Sequence, residues 1–321
     1  MSTESQAVPR KFNFGEFHSK YGTITIFAII VVLSAVFVRN FINPFNLQNV
    51  LRQMVVVTLL AFGVTFVIIL GHIDVSLGSV LALCGCVAAA VMKSTDSVAL
   101  ALLAGLGMGL VTGVINGVVV THFAIPAFIM TLAMTTVARG SVLLFTGGRP
   151  ITKLGNFSVI GQRSVGYVPI SILILLFFMV LSWVLLNHTR FGRYVYAVGG
   201  NRGAAIASGI NAGGVVRKAF LYNGILTATA GIVLMSRMNS GQPAAGIGYE
   251  FDAITAVVVG GTSLSGGRGT IVGTLIGSMI IAVINNNLNL LNVNSYWQQI
   301  AKGLIILVAV IIDVLSKRSR S

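Results

Sequence analysis

The feature that most constrains this chain is a succession of apolar runs, several about 20 residues long, parted by short polar stretches. A hydrocarbon core roughly 30 Å thick is crossed by about 20 apolar residues in a helix. Inside lipid each backbone N–H and C=O needs a partner, which a helix supplies within its own segment. Ten spans are predicted, at 21–38, 50–70, 79–92, 98–120, 126–145, 169–186, 219–238, 251–261, 270–291 and 297–314. The third and eighth are short. Only 9% of the 321 residues are charged and mean hydropathy is +0.93, whereas a soluble domain carries roughly 25% charged residues. The expectation is an all-α, polytopic membrane helical bundle of about ten transmembrane helices, forming one domain over 1–321.

The formal net charge of +14 would suggest nucleic acid on a soluble protein. Here the basic residues sit between apolar runs, where Lys and Arg hold loops on the cytoplasmic side, and no nucleic-acid partner is expected. Loop 187–218 holds Arg190, Arg193, Arg202, Arg217 and Lys218 and no acid. The tail 315–321 holds Lys317, Arg318 and Arg320, and segment 1–20 holds Arg10, Lys11 and Lys20. An even number of spans lies between each pair, so all three are placed in the cytoplasm. Loop 146–168 resists the rule: it carries Arg149, Lys153 and Arg163, yet alternation puts it outside. The first span is expected to be retained, because no small-residue cleavage pattern follows it; Arg39, Asn40 and Phe41 come next.

Two halves of the chain share a weak pattern. Ile73-Asp74 opens the third span and Phe251-Asp252 the eighth. Gly105, Gly109, Gly113 and Gly117 recur every fourth residue in the fourth span, as do Gly269, Gly273 and Gly277 at the start of the ninth. Such spacing lines one helix face and lets backbones approach closely where lipid gives no hydrophobic drive. By span count the second half starts on the opposite side of the membrane. That is an inverted repeat, whose solute route lies between the halves beside short or broken helices.

Catalytic patterns are missing. No G-x-x-x-x-G-K-[ST] loop occurs, and Gly260–Gly269 lacks its lysine. His18, His72, His122 and His188 are scattered, and Cys84 and Cys86 lie two apart, pointing in different directions on a helix. No enzyme, metal site or disulfide is expected. Of seven acids, Asp74, Glu250 and Asp252 fall at predicted helix starts and Asp313 at the end of the last span. A carrier driven by an ion gradient keeps ionisable groups in mid-membrane, so their apparent lack there argues for an energy source on a partner. Asp74, followed by Ser76 and Gly78, reads as an N-cap or as a solute contact. Asn285, Asn289 and Asn292 fall at i, i+4 and i+7 of the ninth span, and Asn116 sits in the matching fourth. Either they join helices by hydrogen bonds, or they line a route for a neutral polyhydroxy solute, which needs donors and acceptors but no counter-charge.

Four segments occur together and in order: Gly71-His72-Ile73-Asp74-Val75-Ser76-Leu77-Gly78-Ser79, His188-Thr189-Arg190-Phe191-Gly192-Arg193-Tyr194 through Gly199-Gly200-Asn201, Ser208-Gly209-Ile210-Asn211, and Gly248-Tyr249-Glu250-Phe251-Asp252-Ala253-Ile254 through Gly260-Gly261-Thr262-Ser263. With the order of spans, they resemble the permease subunits of the ribose/xylose/arabinose/galactose-type ABC importers over roughly residues 20–315. The resemblance implies a bacterial inner-membrane protein working as a pair of permeases, with a cytoplasmic ATPase that uses ATP and a periplasmic binding protein that delivers the sugar. It implies no cofactor on this chain. It places coupling to the ATPase in Asn201, Ala204, Ala205, Ser208, Gly209 and Ile210. Arg202 departs from the family, whose members usually carry an acid there, and His72 stands where a small residue is commoner. Arg149, Lys153 and Arg163 then become either solvated loop charges or docking points for acidic residues of the binding protein. The expected cargo is a pentose such as ribose. A nucleoside or branched-chain amino acid, an ion-coupled carrier acting alone, and a membrane scaffold are the rivals.

Overall fold

The computed structural model describes residues 14–166 and 168–318. Of the two terminal segments, residues 1–13 and 319–321 lie outside those described. The chain is built from helices α1 Phe14–Phe37, α2 Pro44–Ile69, α3 Leu77–Thr95, α4 Val98–His122 and α5 Ala127–Thr146. Then come α6 Val159–Gln162, α7 Ile170–His188, α8 Arg190–Gly200 and α9 Arg202–Ala207, followed by α10 Ala212–Met238, α11 Tyr249–Val259, α12 Ile271–Leu290 and α13 Ser295–Arg318. Each of the ten predicted spans is helical. Among the described residues, seven helices are long and apolar enough to cross a membrane: α2, α3, α4, α5, α7, α10 and α12. Of the other three, α1 and α13 are long enough, at 24 residues each, but have no sufficiently apolar 18-residue stretch among the described residues. At 11 residues, α11 is about 16 Å long, short of a hydrocarbon core. In contrast α3 reaches 19 residues, five more than its apolar run suggested, because it starts two residues earlier at Leu77 and Lys93, Ser94 and Thr95 extend its end.

Local chemistry fixes the ends. Asn43 accepts from the Phe45 N–H with Pro44 at the first helical position, and Ser97, Thr189, Asn201, Asn211 and Thr270 cap α4, α8, α9, α10 and α12 with side-chain oxygens. These bonds satisfy backbone donors that a helix start otherwise leaves open.

Packing sorts the helices into two layers. The most apolar stretches of α2 and α10 are 89% buried, against 28% in α4 and 22% in α5 and α7. So α2 and α10 form the centre, and the apolar outer faces of α4, α5 and α7 suit lipid. α10 packs on α2, α3 and α4; α2 packs on α11, α12 and α7; α1 lies on α12. The glycines of α4 explain the closest of these contacts. A Cβ at Gly109 would strike the Gly224 carbonyl, one at Gly113 the Phe220 carbonyl, and one at Gly117 the Arg217 backbone, all on α10. The ladder on α12 serves a different partner: Gly273 and Gly277 meet Gly260 and Ala256 of α11 and the turn after it. The two ladders are therefore not equivalent, although both give close backbone approach.

Segment 187–218, expected as a loop, is largely helical, holding α8 and α9. At the other end of α7, residues 147–166 and 168–169 fold over the bundle. Their strand β1 (Ile151–Thr152) pairs antiparallel with a strand at Ser240–Gly241, and β2 (Ser164–Val165) pairs with β3 (Val168–Pro169). Phe157 is fully buried beneath this cover, and Gly161 N–H donates to Ser236 Oγ at 2.7 Å.

Candidate coupling end, buried polar clusters and outer face

At one end of the bundle, α8 and α9 form a protruding elbow. Asn201 Oδ1 accepts from Ala204 N–H at 2.9 Å and Ser208 Oγ donates to the Ala204 carbonyl at 3.0 Å. Gly209 closes α9 at φ +80 with nothing near the position of a Cβ, a backbone state that suits glycine. Asn201, Ala204, Ser208 and Gly209 are exposed, Ile210 is half-buried, and Ala205 faces inward. Ile206, which the sequence did not single out, is 54% exposed at the tip. The elbow is fastened to the bundle at its root. Tyr196 donates to the Gly269 carbonyl at 2.7 Å. Gly199 packs against the Ile69 carbonyl and Gly267, and Gly267 N–H donates to the Ile69 carbonyl at 2.8 Å. So the elbow, the last turn of α2 and the Gly260–Gly269 turn meet at one point. His72 lies beside Phe220 there. Burial, and then the Arg202 guanidinium, hold its imidazole below the ordinary value, which favours the neutral form.

From that point residues 71–76 run as irregular chain into the bundle, and Asp74 is buried (2% exposed). The sequence suggested it as the cap of α3. The structure gives that place to Ser76, whose side chain makes no capping bond. Asp74 instead turns back on its neighbour: Oδ1 accepts from Ser76 N–H at 2.8 Å and Ser76 Oγ–H at 2.6 Å. Its Oδ2 accepts from Asn223 Nδ2 at 2.8 Å. Asn223 lies near the middle of α10, so Asp74 sits at depth in the bundle. The expectation that no carboxylate does so is corrected here; irregular chain reaching inward gave no periodic signal. Asn116, six residues before the end of α4 at His122 and so about 9 Å from that end, donates weakly to Ser76 Oγ (3.4 Å). Gly78 meets Gly246 and Glu250 where α3 touches the turn before α11.

A second cluster joins α11, α12 and α13. Glu250 and Asp252 lie in the first turn of α11, where the helix dipole favours acids. Asp252 Oδ2 accepts from Lys302 Nζ at 2.8 Å and from Asn285 Nδ2 at 3.4 Å. Glu250 Oε1 accepts from Gly248 N–H. Arg139 of α5 donates to the Pro243 and Ala245 carbonyls, tying α5 to the turn that leads into α11. The proposed asparagine face is not maintained. Asn289 is exposed and accepts from Gln298 Nε2. Asn292 lies past the end of α12 at φ 53, so it has left the helical register. Asn116 and Asn285 lie in separate clusters. Three side chains that close these clusters, Asn223, Arg139 and Lys302, were missed in the sequence. Each is a polar or charged residue inside an apolar run, which is the signal that could have found it.

Arg149, Lys153 and Arg163 are all exposed on the cover at the far end of α7. Among the described residues none of them is ion-paired.

Residues 46–310 match the family described as branched-chain amino acid transport system permease components. The chain is 44% identical to the ribose import permease protein RbsC of Bacillus subtilis over 98% of both chains. It is 42% identical to RbsC of Haemophilus influenzae, over 94% of this chain and 95% of that one. Against the L-arabinose transport system permease protein AraH of Escherichia coli it is 34% identical over 100% of this chain and 98% of the other. No solved structure matches. With end-to-end likeness to import permeases and seven membrane-length apolar helices, the chain belongs to this family of transport-system permease components, alongside its sugar-import members.

Proposed function

We propose that this chain is the membrane-spanning permease subunit of an ATP-driven, binding-protein-dependent importer that carries ribose across the bacterial inner membrane. The observation that carries the reading is the 44% identity, over almost the whole of both chains, to a ribose import permease. The cargo rivals within the class are a nucleoside or a branched-chain amino acid, and an ion-coupled carrier is the rival in mechanism. In this account the chain holds no catalytic site and no organic cofactor; a separate cytoplasmic ATPase consumes the ATP.

The elbow of α8 and α9 faces the cytoplasm and seats in that ATPase. Its exposed tip, with Ile206 and Arg202 beside Ala204, Ser208 and Gly209, supports this. A push on the elbow would reach the end of α2 and the Gly260–Gly269 turn together, because Gly199 and Gly267 hold the three in contact. Both termini then lie in the cytoplasm, and α1, α11 and α13 complete ten membrane spans, the short α11 crossing together with the chain on either side of it, which runs from the cover at Ser240–Gly241 to the elbow at Gly269. The inverted repeat pairs α2 with α10, α3 with α11, α4 with α12 and α5 with α13. Helix contacts support it: α3 packs on α4 and α5 as α11 packs on α12 and α13, and α10 packs on α3 and α4 as α2 packs on α11 and α12. A second copy of the chain completes the pathway, and Asn285 offers a neutral hydrogen-bonding group to solute, whereas Asn116 is 3% exposed and turned toward Ser76. Arg149, Lys153 and Arg163 face outward to receive the binding protein.

The test is uptake of labelled ribose, xylose, arabinose, galactose, adenosine and leucine in cells with and without the gene for this chain. Selective loss of ribose uptake is expected on deletion. Loss of adenosine or leucine uptake alone would reassign the cargo.

A further inference from the structure

The two acids at matching places in the chain are neutralised differently. Asp252 has an ammonium, Lys302 Nζ at 2.8 Å, supplied by α13. Asp74 is 2% exposed, and among the described residues no side-chain cation forms an ion pair with it. The helix that matches α13 is α5, and it sends hydroxyls instead: Thr131 Oγ1 accepts from Val75 N–H and Thr135 Oγ1 donates to the Val75 carbonyl. A buried charge without a counter-charge is the costliest group a low-dielectric interior can hold.

Beside Asp74 lies a small cavity lined by Asn116, Asn223, Thr112 and Thr227, with room for one water-sized guest. Two of these lining residues carry an oxygen that is buried and has no hydrogen-bond partner among the described residues, Asn116 Oδ1 and Thr227 Oγ1, in side chains 3% and 1% exposed. Asn223 Oδ1 is also unpartnered but faces Gly63 of α2. The hydrogen bonds fix which atom of Asn116 is free. Ser76 gives its one hydroxyl hydrogen to Asp74, so it can only accept from Asn116, whose nitrogen must turn toward it. The Asn116 oxygen is left over. The lining thus offers a carboxylate, an amide oxygen and a hydroxyl oxygen. Among the described residues no three His, Cys, Asp or Glu side chains cluster, so no donor set for a transition metal is present, whereas oxygen donors suit a hard cation.

We propose that this cavity binds one alkali-metal cation, sodium, which neutralises Asp74 as Lys302 neutralises Asp252. The ion is coordinated by Asp74, Asn116 Oδ1 and Thr227 Oγ1, and it ties α4 and α10 to the irregular chain before α3. The site is a resident one and is independent of what energises import.

The experiment is equilibrium binding of radioactive sodium to the purified full-length chain in lipid nanodiscs, with melting curves in NaCl and in choline chloride at equal ionic strength. Saturable binding near one ion per chain is expected, with a higher melting temperature in NaCl. Thr227→Val keeps the side-chain shape and should weaken sodium binding at least several-fold. Asp74→Asn should abolish both the binding and the NaCl-specific rise in melting temperature. Binding no greater than to empty nanodiscs, with identical melting in the two salts, would overturn the proposal and leave the cavity to a water molecule. Sodium binding that persists unchanged in Thr227→Val and in any Asp74→Asn protein that folds would overturn it as well.

Discussion

Replacing Lys302 with methionine leaves Asp252 buried without its cation. The carboxylate side chain is 5% exposed and its contact with Lys302 Nζ is 2.8 Å, while the lysine side chain is 29% exposed. Removing one partner of a buried pair costs about 3–5 kcal/mol. Partial access of water to the lysine end puts this case near the lower limit, about 3 kcal/mol, or roughly a hundredfold in the folding equilibrium. Asn285 Nδ2, at 3.4 Å, is too distant to replace the ammonium. The reverse change, Asp252→Asn, should cost only about 1 kcal/mol, because the lysine can turn its charged end toward water. The double variant has no stranded charge and should recover about 2 kcal/mol relative to Lys302→Met. Melting and denaturant curves of the four proteins in lipid nanodiscs form the cycle. A double variant as weak as the sum of the singles, or a Lys302→Met protein as stable as the parent, would refute the reasoning.

Gly109→Leu should lower the folded yield in membranes, since the Cβ alone would strike the Gly224 carbonyl of α10 and overpacking costs about 1–3 kcal/mol. Gly107→Leu, two residues away with nothing near its Cβ, should be tolerated, so equal loss in both would disprove the ladder. Gly209→Trp, exposed on the elbow, should leave the chain in the membrane but separate ATP hydrolysis from ribose uptake; if assembly with the ATPase and uptake both survive, the coupling assignment is wrong. Reversing the charges of Arg149, Lys153 and Arg163 together should weaken capture of the binding protein, most at low salt. Unchanged capture would remove these residues from the docking face.

The helices were legible in the sequence because lipid imposes a strict length and polarity rule on each span. The four-residue glycine spacing likewise announced close helix packing, though not which helix would be met: Gly109 turned out to face α10, while Gly273 faces the end of α11. The polar clusters were only half legible. Asp74 and Asp252 stood out by their shared position, but the partners that define them, Asn223 and Lys302, come from 149 and 50 residues away. No local period links such pairs. Asn292 was misplaced for the opposite reason: spacing alone kept it on the helix, while the chain turns to positive φ there. The elbow at α8 and α9 was legible as a basic segment, but its anchoring to Ile69 and Gly267 was not, since that contact is made by backbone atoms of glycines.

The most direct test of the account separates its energy source from its rivals. Ribose uptake would be measured in intact fermenting cells that carry this chain, its ATPase and its binding protein, with an uncoupler added and ATP monitored. The account predicts that uptake continues under the uncoupler while ATP stays high and stops when the ATPase is inactivated. Uptake that the uncoupler abolishes while ATP stays high would contradict it and make the chain an ion-coupled carrier.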